Sequence, residues 1–290
     1  MLDFRVETFL TAAETLNFTK TAALLNITQP AVSQHIRYLE KEYDAKLFSQ
    51  EGKKLSLTPE GIKLKDALIT MKLDENHLKN DIRNLSQARS LRFGATMTVG
   101  EFMMPKVLIN RLFTARSLDI TMEVANTETL LAKLEKGSID FAIVEGYFPK
   151  RGYDSIVYSR ERYIPVCSRY SMYSKGKYSF ADLAGSAIIT RESGSGTREV
   201  LEHALIEHNM SFDDFHSVIE IGNMGAIKKM VAGDAGISFM YEVAALDEIA
   251  KKELCPIQLK DFDITHDICF IWRKNSIYSH EMESIYNSFI

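Results

Sequence analysis

Apolar residues recur at helical spacing through the first sixty residues and predict three short helices in close succession. The first helix begins near Val6. Asn17 or Thr19 can cap the second, because either side chain can accept a hydrogen bond from a free backbone N–H group at a helix start. Thr28 can cap the third helix, whose first turn contains Pro30, where a missing N–H group costs little. The pattern therefore predicts a small helical module at the N-terminus.

The third predicted helix has one apolar face and one polar face. Its apolar stripe consists of Val32, Ile36, Leu39 and Tyr43. Gln29, Ser33 and Arg37 are spaced four residues apart and form a polar stripe that must face outward. Taken alone, such a helix is most often an ordinary amphipathic helix with a solvated side. A short helix and a tight turn precede it, however, and this arrangement is typical of a recognition helix that enters the major groove of DNA.

A hairpin is predicted after the third helix. Gly52 separates two short apolar runs, and Lys53 and Lys54 lie at the tip, where they suit contact with phosphate groups. We therefore predict a winged helix-turn-helix domain over residues 1–60. The predicted DNA-binding residues are Thr19, Lys20, Thr28, Gln29, Pro30, Ser33, Gln34, Arg37, Lys53 and Lys54.

A long helix is predicted to follow, with Thr58 as its cap and Pro59 in the first helical position. Its apolar positions follow steps of four and three residues, with Glu75 the single exception, and form a seam of Leu64, Leu68, Met71, Leu78, Ile82 and Leu85. Such a seam either pairs with a second copy or packs on the body of its own chain, and its charged flanks favour self-association. Residues 61–89 are therefore predicted to form a linker and dimerisation helix.

From residue 90 onward, short strands alternate with helical stretches. The strand candidates are residues 91–96, 120–125, 141–144, 187–190, 218–221, 237–240 and 268–272. This alternation predicts an α/β domain over residues 90–290 with largely parallel strands, arranged either as one sheet or as two lobes.

Four junctions after predicted strands are small and polar, and ligands of open α/β sheets gather beyond the carboxyl ends of strands. The run from Arg191 to Arg198 is the most distinctive, because it combines glycines, hydroxyl groups at a helix start and arginines that could neutralise an anion. The alternative is plain helix capping after a loop. The predicted effector-binding residues are Thr96, Met97, Thr98, Asn126, Thr127, Arg191, Ser193, Gly194, Ser195, Gly196, Thr197 and Asn223.

Composition places the chain among globular proteins, with 290 residues, 46% apolar and 26% charged residues. Disordered, collagenous and disulfide-scaffold classes are excluded. The net charge of -4 decides neither for nor against a nucleic-acid partner. Cys167, Cys255 and Cys269 lie in apolar runs and are expected to be reduced. With no secretory signal pattern and no apolar stretch of about 18 residues, we expect a cytoplasmic protein without membrane contact.

Catalytic and metal motifs are weak. Gly194-Ser195-Gly196 lacks the Gly-x-Ser-x-Gly spacing of a nucleophilic serine turn. The seven histidines form no metal-ligand spacing. We therefore expect no catalytic residues, no metal and no cofactor, and we predict that the protein is not an enzyme.

The densest motif is the run FTKTAALLNITQPAVSQHIRYLE at residues 18–40, followed by Leu47-Phe48 and by LTPEG at residues 57–61. These segments closely resemble the LysR-type transcriptional regulators of bacteria. The similarity continues more loosely through residues 94–96, 126–128, 139–145 and 191–198, and so extends over essentially the whole chain.

This resemblance implies an N-terminal helical domain with a winged helix-turn-helix, a dimerising linker helix, and a C-terminal two-lobed effector domain similar to periplasmic binding proteins. By the same resemblance, lobe one comprises residues 91–162 and 266–290, and lobe two comprises residues 163–265. The implied partners are double-stranded promoter DNA, a small, anionic effector in the interlobe cleft, and further copies of the chain in a homodimer or homotetramer. The run at 191–198 resembles regulators of sulfur, nitrogen or carbon assimilation.

Two departures from the family pattern concern the DNA-binding half. Gln50 stands where an arginine is common, which removes a phosphate contact, and Tyr43-Asp44 replaces the usual glycine, although Asp tolerates a left-handed cap. Two alternative functions stay open. One is a cytosolic type-II-like solute-binding protein, which the effector half alone would support. The other is a thiol redox-sensing regulator, which needs two low-pKa cysteines within disulfide reach.

Overall fold

The structure is a computed structural model that describes residues 3–52, 54–83, 89–114 and 118–290. Lys53 and Leu85, named above, lie outside the described residues. The chain divides into two compact units. The first comprises Met1–Ser86, Glu135–Gly137 and Arg273–Ser279, and the second comprises Gln87–Leu134, Ser138–Trp272 and His280–Ile290.

The first unit contains the three predicted short helices, a hairpin and a long helix. In chain order these are α1 (Phe4–Thr15), α2 (Phe18–Leu25), α3 (Gln29–Glu42), β1 (Phe48–Glu51), β2 (Lys54–Leu57) and α4 (Pro59–Arg83). Asn17 caps α2 by accepting from the backbone N–H groups of Thr19 and Lys20, each at 3.0 Å. Thr28 caps α3 through the backbone N–H group of Ala31, at 3.3 Å. The predicted caps therefore set both helix starts.

The core of the first unit forms where the apolar stripe of α3 meets α1. Phe9 and Val32 are fully buried, and Ile36 and Leu39 are nearly so. Tyr43, the fourth stripe residue, is half exposed. The chain leaves α3 through Asp44, whose φ of 46° is the left-handed conformation expected for its replacement of glycine.

The predicted seam of α4 is divided between two environments. Leu68 is buried against the helix-turn-helix core, and Leu64 packs beside it. Met71, Leu78 and Ile82 are exposed. The first turns of the seam thus pack on their own unit, and only the later apolar positions remain available to another surface.

The second unit is an α/β structure. Its strands are β3 (Arg89–Ala95), β4 (Leu118–Val124), β5 (Phe141–Val144), β6 (Tyr153–Ser168), β7 (Ala187–Thr190), β8 (Ser217–Glu220), β9 (Ser238–Tyr241), β10 (Leu254–Pro256) and β11 (Ile264–Arg273). Its helices are α5 (Met104–Thr114), which follows a π-helical turn at Val99–Met103, α6 (Thr127–Lys136), α7 (Gly196–Glu207), α8 (Met224–Ala232), α9 (Glu242–Ala250) and α10 (Ser279–Asn287).

The main sheet is mixed, so the expectation of largely parallel strands is corrected. Its order is β10-β6-β11-β5-β3-β4, with β9 also on β6, while β7 and β8 form a separate parallel pair. Strand β3 is parallel to β4 and β5, but β5 pairs antiparallel with β11, and β6 pairs antiparallel with β9 and β10. The antiparallel pairs involve the two long strands β6 and β11, and β6 was not among the strands predicted from sequence.

Apolar cores lie on both sides of these long strands. One core packs α6 against β5, around Leu130, Leu134 and Val144. Others surround Phe180 and Val231, in the part of the chain that contains α7, α8 and α9. The effector unit is therefore two-lobed, whereas the residue boundaries given above for the lobes remain a prediction. Within the described ranges, no helix is both long enough and apolar enough to cross a bilayer.

Candidate functional site

The outward face of α3 presents the predicted base-reading side chains to solvent. Gln34 and Arg37 are exposed, Ser33 is partly buried, and the amide of Gln29 donates to the Ser33 hydroxyl at 3.0 Å. The other described residues of the DNA-binding prediction are all exposed, namely Thr19, Lys20, Thr28, Pro30 and Lys54. Because the opposite face of α3 is locked into the core, this surface is held rigidly and is free to contact a groove.

In the second unit, polar residues meet where β3, β5 and β7 end. Thr96 follows β3, and its backbone N–H group donates to the carbonyl of Ile143 at 3.1 Å. Glu145 follows β5, and Arg191 follows β7. All are almost completely buried. The carboxyl ends of three strands therefore converge, as expected for the ligand site of an α/β sheet.

Glu145 is the centre of this arrangement. Its carboxylate oxygen Oε1 accepts from the Thr197 hydroxyl at 2.6 Å, and its backbone carbonyl accepts from the Thr127 hydroxyl at 2.9 Å. Burial raises the pKa of the Glu145 carboxyl, although the hydroxyls of Thr197 and Thr98 and the charge of Arg191 act to lower it. A carboxylate is thus held at the start of α7, where helix N–H groups favour negative charge.

Several buried polar atoms around Glu145 make no hydrogen bond to any other described residue. They are the hydroxyl oxygens of Thr96, Thr98 and Ser195, Oε2 of Glu145 and Nη1 of Arg191. We call these five residues the polar cluster. Buried polar groups in proteins are nearly always hydrogen-bonded, because each unpaired one costs about 1 to 3 kcal/mol. The polar cluster therefore has the properties of a binding site for a polar molecule.

The arginines of the 191–198 run are already paired with carboxylates. Arg191 donates from Nε and Nη2 to the two oxygens of Glu192, at 2.8 and 2.9 Å. Burial acts to raise the pKa of the Glu192 carboxyl, but the hydrogen bond and charge of Arg191 prevail and lower it. Arg198 pairs with Glu202 at 2.7 Å and also with Glu220. Only Nη1 of Arg191 remains for a ligand in the polar cluster.

Two glycine backbones approach each other beside the polar cluster, one after β5 and one at the start of α7, which the predicted boundaries place in different lobes. A Cβ atom added to Gly146 would lie 2.4 Å from Cα of Gly196. One added to Gly196 would lie 2.2 Å from the carbonyl oxygen of Glu145. No side chain fits at either position, so the cleft is closed by direct backbone contact.

A cavity of about 300 Å³ opens beside the cluster, next to Thr127, Gly194 and Ser195. A volume of this size is at the small end of the range for ligand sites. Its outer wall includes Glu128, Glu199, Glu202 and Arg198. The entrance is therefore more acidic than basic.

The effector-binding prediction divides into residues that adjoin the cluster and residues that do not. Four of the predicted residues are members of the polar cluster, namely Thr96, Thr98, Arg191 and Ser195. Thr127, Gly196 and Thr197 contact Glu145. Gly194 lines the cavity. Asn126 caps α6 and Asn223 caps α8, at 2.9 and 2.8 Å from the N–H groups that they accept from. Ser193 is exposed, and Met97 packs against an apolar core.

Sequence reasoning missed Glu145 as a site residue. The signal was present, because Glu145 immediately follows the apolar strand Phe141–Val144, and the rule used for the other junctions applies to it equally. Among the described residues, no group of three or more His, Cys, Asp or Glu side chains could hold a metal ion. All three cysteines are free.

A helix-turn-helix module joined to a two-lobed domain with a polar cleft defines the class of DNA-binding proteins that carry a ligand-binding domain. Two family models match the chain. Residues 5–62 match the bacterial regulatory helix-turn-helix protein model of the lysR family, and residues 85–287 match the LysR substrate binding domain.

Individual relatives agree with the family models. The chain is 30% identical over 247 residues to an uncharacterized HTH-type transcriptional regulator of Methanocaldococcus jannaschii, covering 82% of this chain and 81% of that protein. It is 27% identical over 271 residues to the HTH-type transcriptional regulator CysL of Bacillus subtilis, covering 92% and 89%. The regulatory domain of Synechocystis CcmR, solved in complex with 2-PG, superimposes with a TM-score of 0.62 at 22% identity, covering 69% of this chain and 95% of that domain.

The chain therefore belongs to the LysR family of transcriptional regulators. It combines a DNA-binding domain with an effector-binding domain, and the fold class predicted from sequence is confirmed. The match to the helix-turn-helix model supports the regulator and not the solute-binding alternative.

Proposed function

We propose that this chain is a cytoplasmic, homo-oligomeric regulator, and not an enzyme, whose action at promoter DNA responds to a small organic acid bound at the polar cluster. The observation that carries the proposal is the set of five buried polar atoms without a hydrogen-bond partner among the described residues. A ligand that satisfied them would recover much of the desolvation cost. Gly146 and Gly196 pack against each other beside the polar cluster, so a ligand bound there would affect how the two lobes close.

Two further observations support a small acid as the effector. Nη1 of Arg191 and three hydroxyl groups are buried without hydrogen-bond partners among the described residues, and donors of these kinds suit a carboxylate. The structurally similar CcmR domain has been solved with 2-PG, and the effector-binding domain of QuiR, with a TM-score of 0.59, has been solved with shikimate. Ligand contacts from both lobes would couple binding to lobe closure, and a coupling of about 1 to 3 kcal/mol is typical of regulators.

A thiol switch is the second candidate, because the register of β6 and β10 sets Cys167 directly opposite Cys255. Burial raises the pKa of the Cys167 thiol to about 12, and burial also raises that of Cys269. At neutral pH such thiols are almost entirely protonated and react slowly. We therefore favour ligand sensing over thiol oxidation.

The effector hypothesis is tested with Thr98→Val, which keeps the side-chain shape and removes one buried hydroxyl. An operator is first selected from a pool of random duplexes, and a metabolite library is then screened for compounds that change operator binding by the full chain. Thr98→Val should weaken the active compound by about 1 to 3 kcal/mol while leaving ligand-free operator affinity unchanged.

Thr121→Val makes the same chemical change at an exposed position of β4 and should leave both affinities unaltered. A library in which no compound changes operator binding would overturn the proposal. So would an active compound that binds Thr98→Val as tightly as it binds the parent chain.

A further inference from the structure

The unpartnered atoms of the polar cluster are chemically unequal, and this inequality restricts the ligand. Nη1 of Arg191 can only donate hydrogen bonds. The hydroxyl groups of Thr96, Thr98 and Ser195 can donate or accept. Oε2 of Glu145, when the carboxyl is ionised, can only accept. A ligand with acceptors alone would satisfy the arginine and would compete with Oε2 of Glu145 for the hydroxyls, of which that of Thr98 lies near this carboxyl without a hydrogen bond of normal length.

The position of Glu145 makes this acceptor difficult to satisfy from within the protein. Its other carboxylate oxygen is bound by Thr197, and its backbone carbonyl is bound by Thr127. Gly196 packs directly against the same carbonyl. The carboxylate thus occupies the start of α7, the place where an anionic ligand group would otherwise be stabilised.

The surrounding charge also limits the ligand. Arg191 is matched by Glu192, and Arg198 is shared between Glu202 and Glu220. With Glu145 in the cluster and Glu128 at the cavity wall, carboxylates outnumber guanidinium groups. A doubly charged ligand without a compensating donor would be repelled.

We propose, building on the function proposed above, that the effector is a small carboxylic acid that also carries a hydroxyl or ammonium group, and that Glu145 is the residue that selects this group. The carboxylate of the ligand binds Nη1 of Arg191 and the hydroxyls of the polar cluster. The hydroxyl or ammonium group donates to Oε2 of Glu145. Glu145 is therefore a specificity-determining residue of the effector site.

The inference is tested by direct binding of two matched series of acids to the full-length protein. The first series is propionate, lactate and alanine, and the second is succinate, malate and aspartate. Within each series only the donor on the second carbon changes. In at least one series the hydroxy or amino acid should bind about tenfold more tightly than the unsubstituted acid, since only the substituted acid can donate a hydrogen bond to the charged Oε2 of Glu145.

Glu145→Gln should reduce this preference to less than about threefold, because an amide replaces the charged acceptor. Glu253→Gln, at an exposed position, serves as the matched control and should keep the full preference. The first arm uses only the unaltered chain, so the inference can be judged even if Glu145→Gln fails to fold. Hydroxy acids and amino acids are compared separately in each series. This comparison identifies whether a ligand hydroxyl or a ligand ammonium group donates to Glu145.

Four results would overturn the inference. The unsubstituted acids could bind as tightly as their substituted partners, Glu145→Gln could keep the preference, or no acid of either series could bind. Tighter binding of unsubstituted acids as the pH falls would show that a protonated Glu145 donates to them, which also contradicts it. Each result leaves the library screen on operator binding to decide separately whether another effector acts on this regulator.

Discussion

Glu145 links the effector site to the stability of the second unit through its protonation. Burial raises the pKa of this carboxyl above the value of 4.5 that an exposed Glu has. The folded chain therefore holds its proton over a pH window in which the unfolded chain has released it. Since the folded state binds more protons there, the free energy of unfolding falls as the pH rises from 4.5 through the folded pKa.

We expect Glu145→Gln to remove this contribution. The stability of the variant relative to the parent should increase with pH across the window and level off above it, because the amide cannot ionise. Urea unfolding followed by the fluorescence of Trp272, the single tryptophan, measures the second unit of the ligand-free chain. Glu253→Gln is the control. A stability difference that is independent of pH would show that Glu145 keeps an ordinary pKa.

Arg37 is an exposed cation on the predicted reading face of α3. Arg37→Ala should weaken binding to the selected operator by about 1 to 3 kcal/mol, with the loss concentrated at one base pair if Arg37 contacts a guanine. Titrations against a set of single-base operator variants measure both effects. Lys177→Ala removes an exposed cation from the second unit and should change neither. Unchanged affinity and base preference in Arg37→Ala would exclude Arg37 from the reading face.

At the residue scale, sequence reasoning located the hydroxyls at strand ends but could not separate ligand-facing from structural roles. The hydroxyl groups of Thr96, Thr98 and Ser195 are buried without hydrogen-bond partners among the described residues. Asn223, predicted by the same rule, is used as a helix cap. Whether such a side chain stays unpartnered or caps a helix depends on where it points once helix and strand have packed. That direction depends on contacts distant in sequence.

At the scale of elements, helix α4 separates the two parts of its apolar seam. Its early residues are covered by the helix-turn-helix core, whereas Met71, Leu78 and Ile82 are exposed. Leu78→Glu should raise the dissociation constant of the oligomer by about tenfold or more, because a carboxylate would enter an apolar contact. Analytical ultracentrifugation measures this. Ile206→Glu, at an exposed position of α7, should leave the oligomer intact.

If Leu78→Glu sediments as the parent chain does, helix α4 is not the pairing element and its exposed residues serve another contact. Folding of the monomer should be unaffected in either case, because surface substitutions usually change stability by less than about 0.5 kcal/mol. Circular dichroism at matched concentrations checks this requirement.

Strands β6 and β10 set Cys167 and Cys255 directly opposite each other. We expect peroxide treatment to leave operator affinity unchanged within about twofold, because the pKa of Cys167 near 12 leaves almost no thiolate at neutral pH. Thiol titration and intact mass report whether a disulfide forms, and Cys255→Ser provides the control. A disulfide between Cys167 and Cys255 accompanied by altered operator binding would favour the redox alternative.

Secondary structure was predictable where hydrophobic periodicity was strong. Helices α1 to α4 and seven strands followed from their patterns, but β6 and β10 did not. The first half of β6 is only partly buried and carries many polar residues, such as Asp154 and Arg160, so its pattern resembles a surface loop. It becomes a strand because β11 pairs with it, and that partner lies about 100 residues later.

For the molecule as a whole, the sequence established two functional halves, and the family match confirms that organisation. What it could not supply was the relation between the lobes of the second unit. With the predicted lobe boundaries, that relation depends on the long paired strands β6 and β11 and on the packing of Gly146 against Gly196. The contact joins positions fifty residues apart, and neither glycine belongs to a local pattern that would connect it to the other.

The glycine contact has a practical consequence for anyone who would retune this regulator as a biosensor. The three hydroxyl-bearing residues of the proposed effector site, Thr96, Thr98 and Ser195, have short, buried side chains that can be varied in a library. Gly146 and Gly196 have no such latitude, because a single methyl group at either one would hold the lobes apart. On the proposed mechanism, libraries that vary the three hydroxyl positions and keep both glycines fixed should alter which compound is detected while retaining the proposed lobe closure.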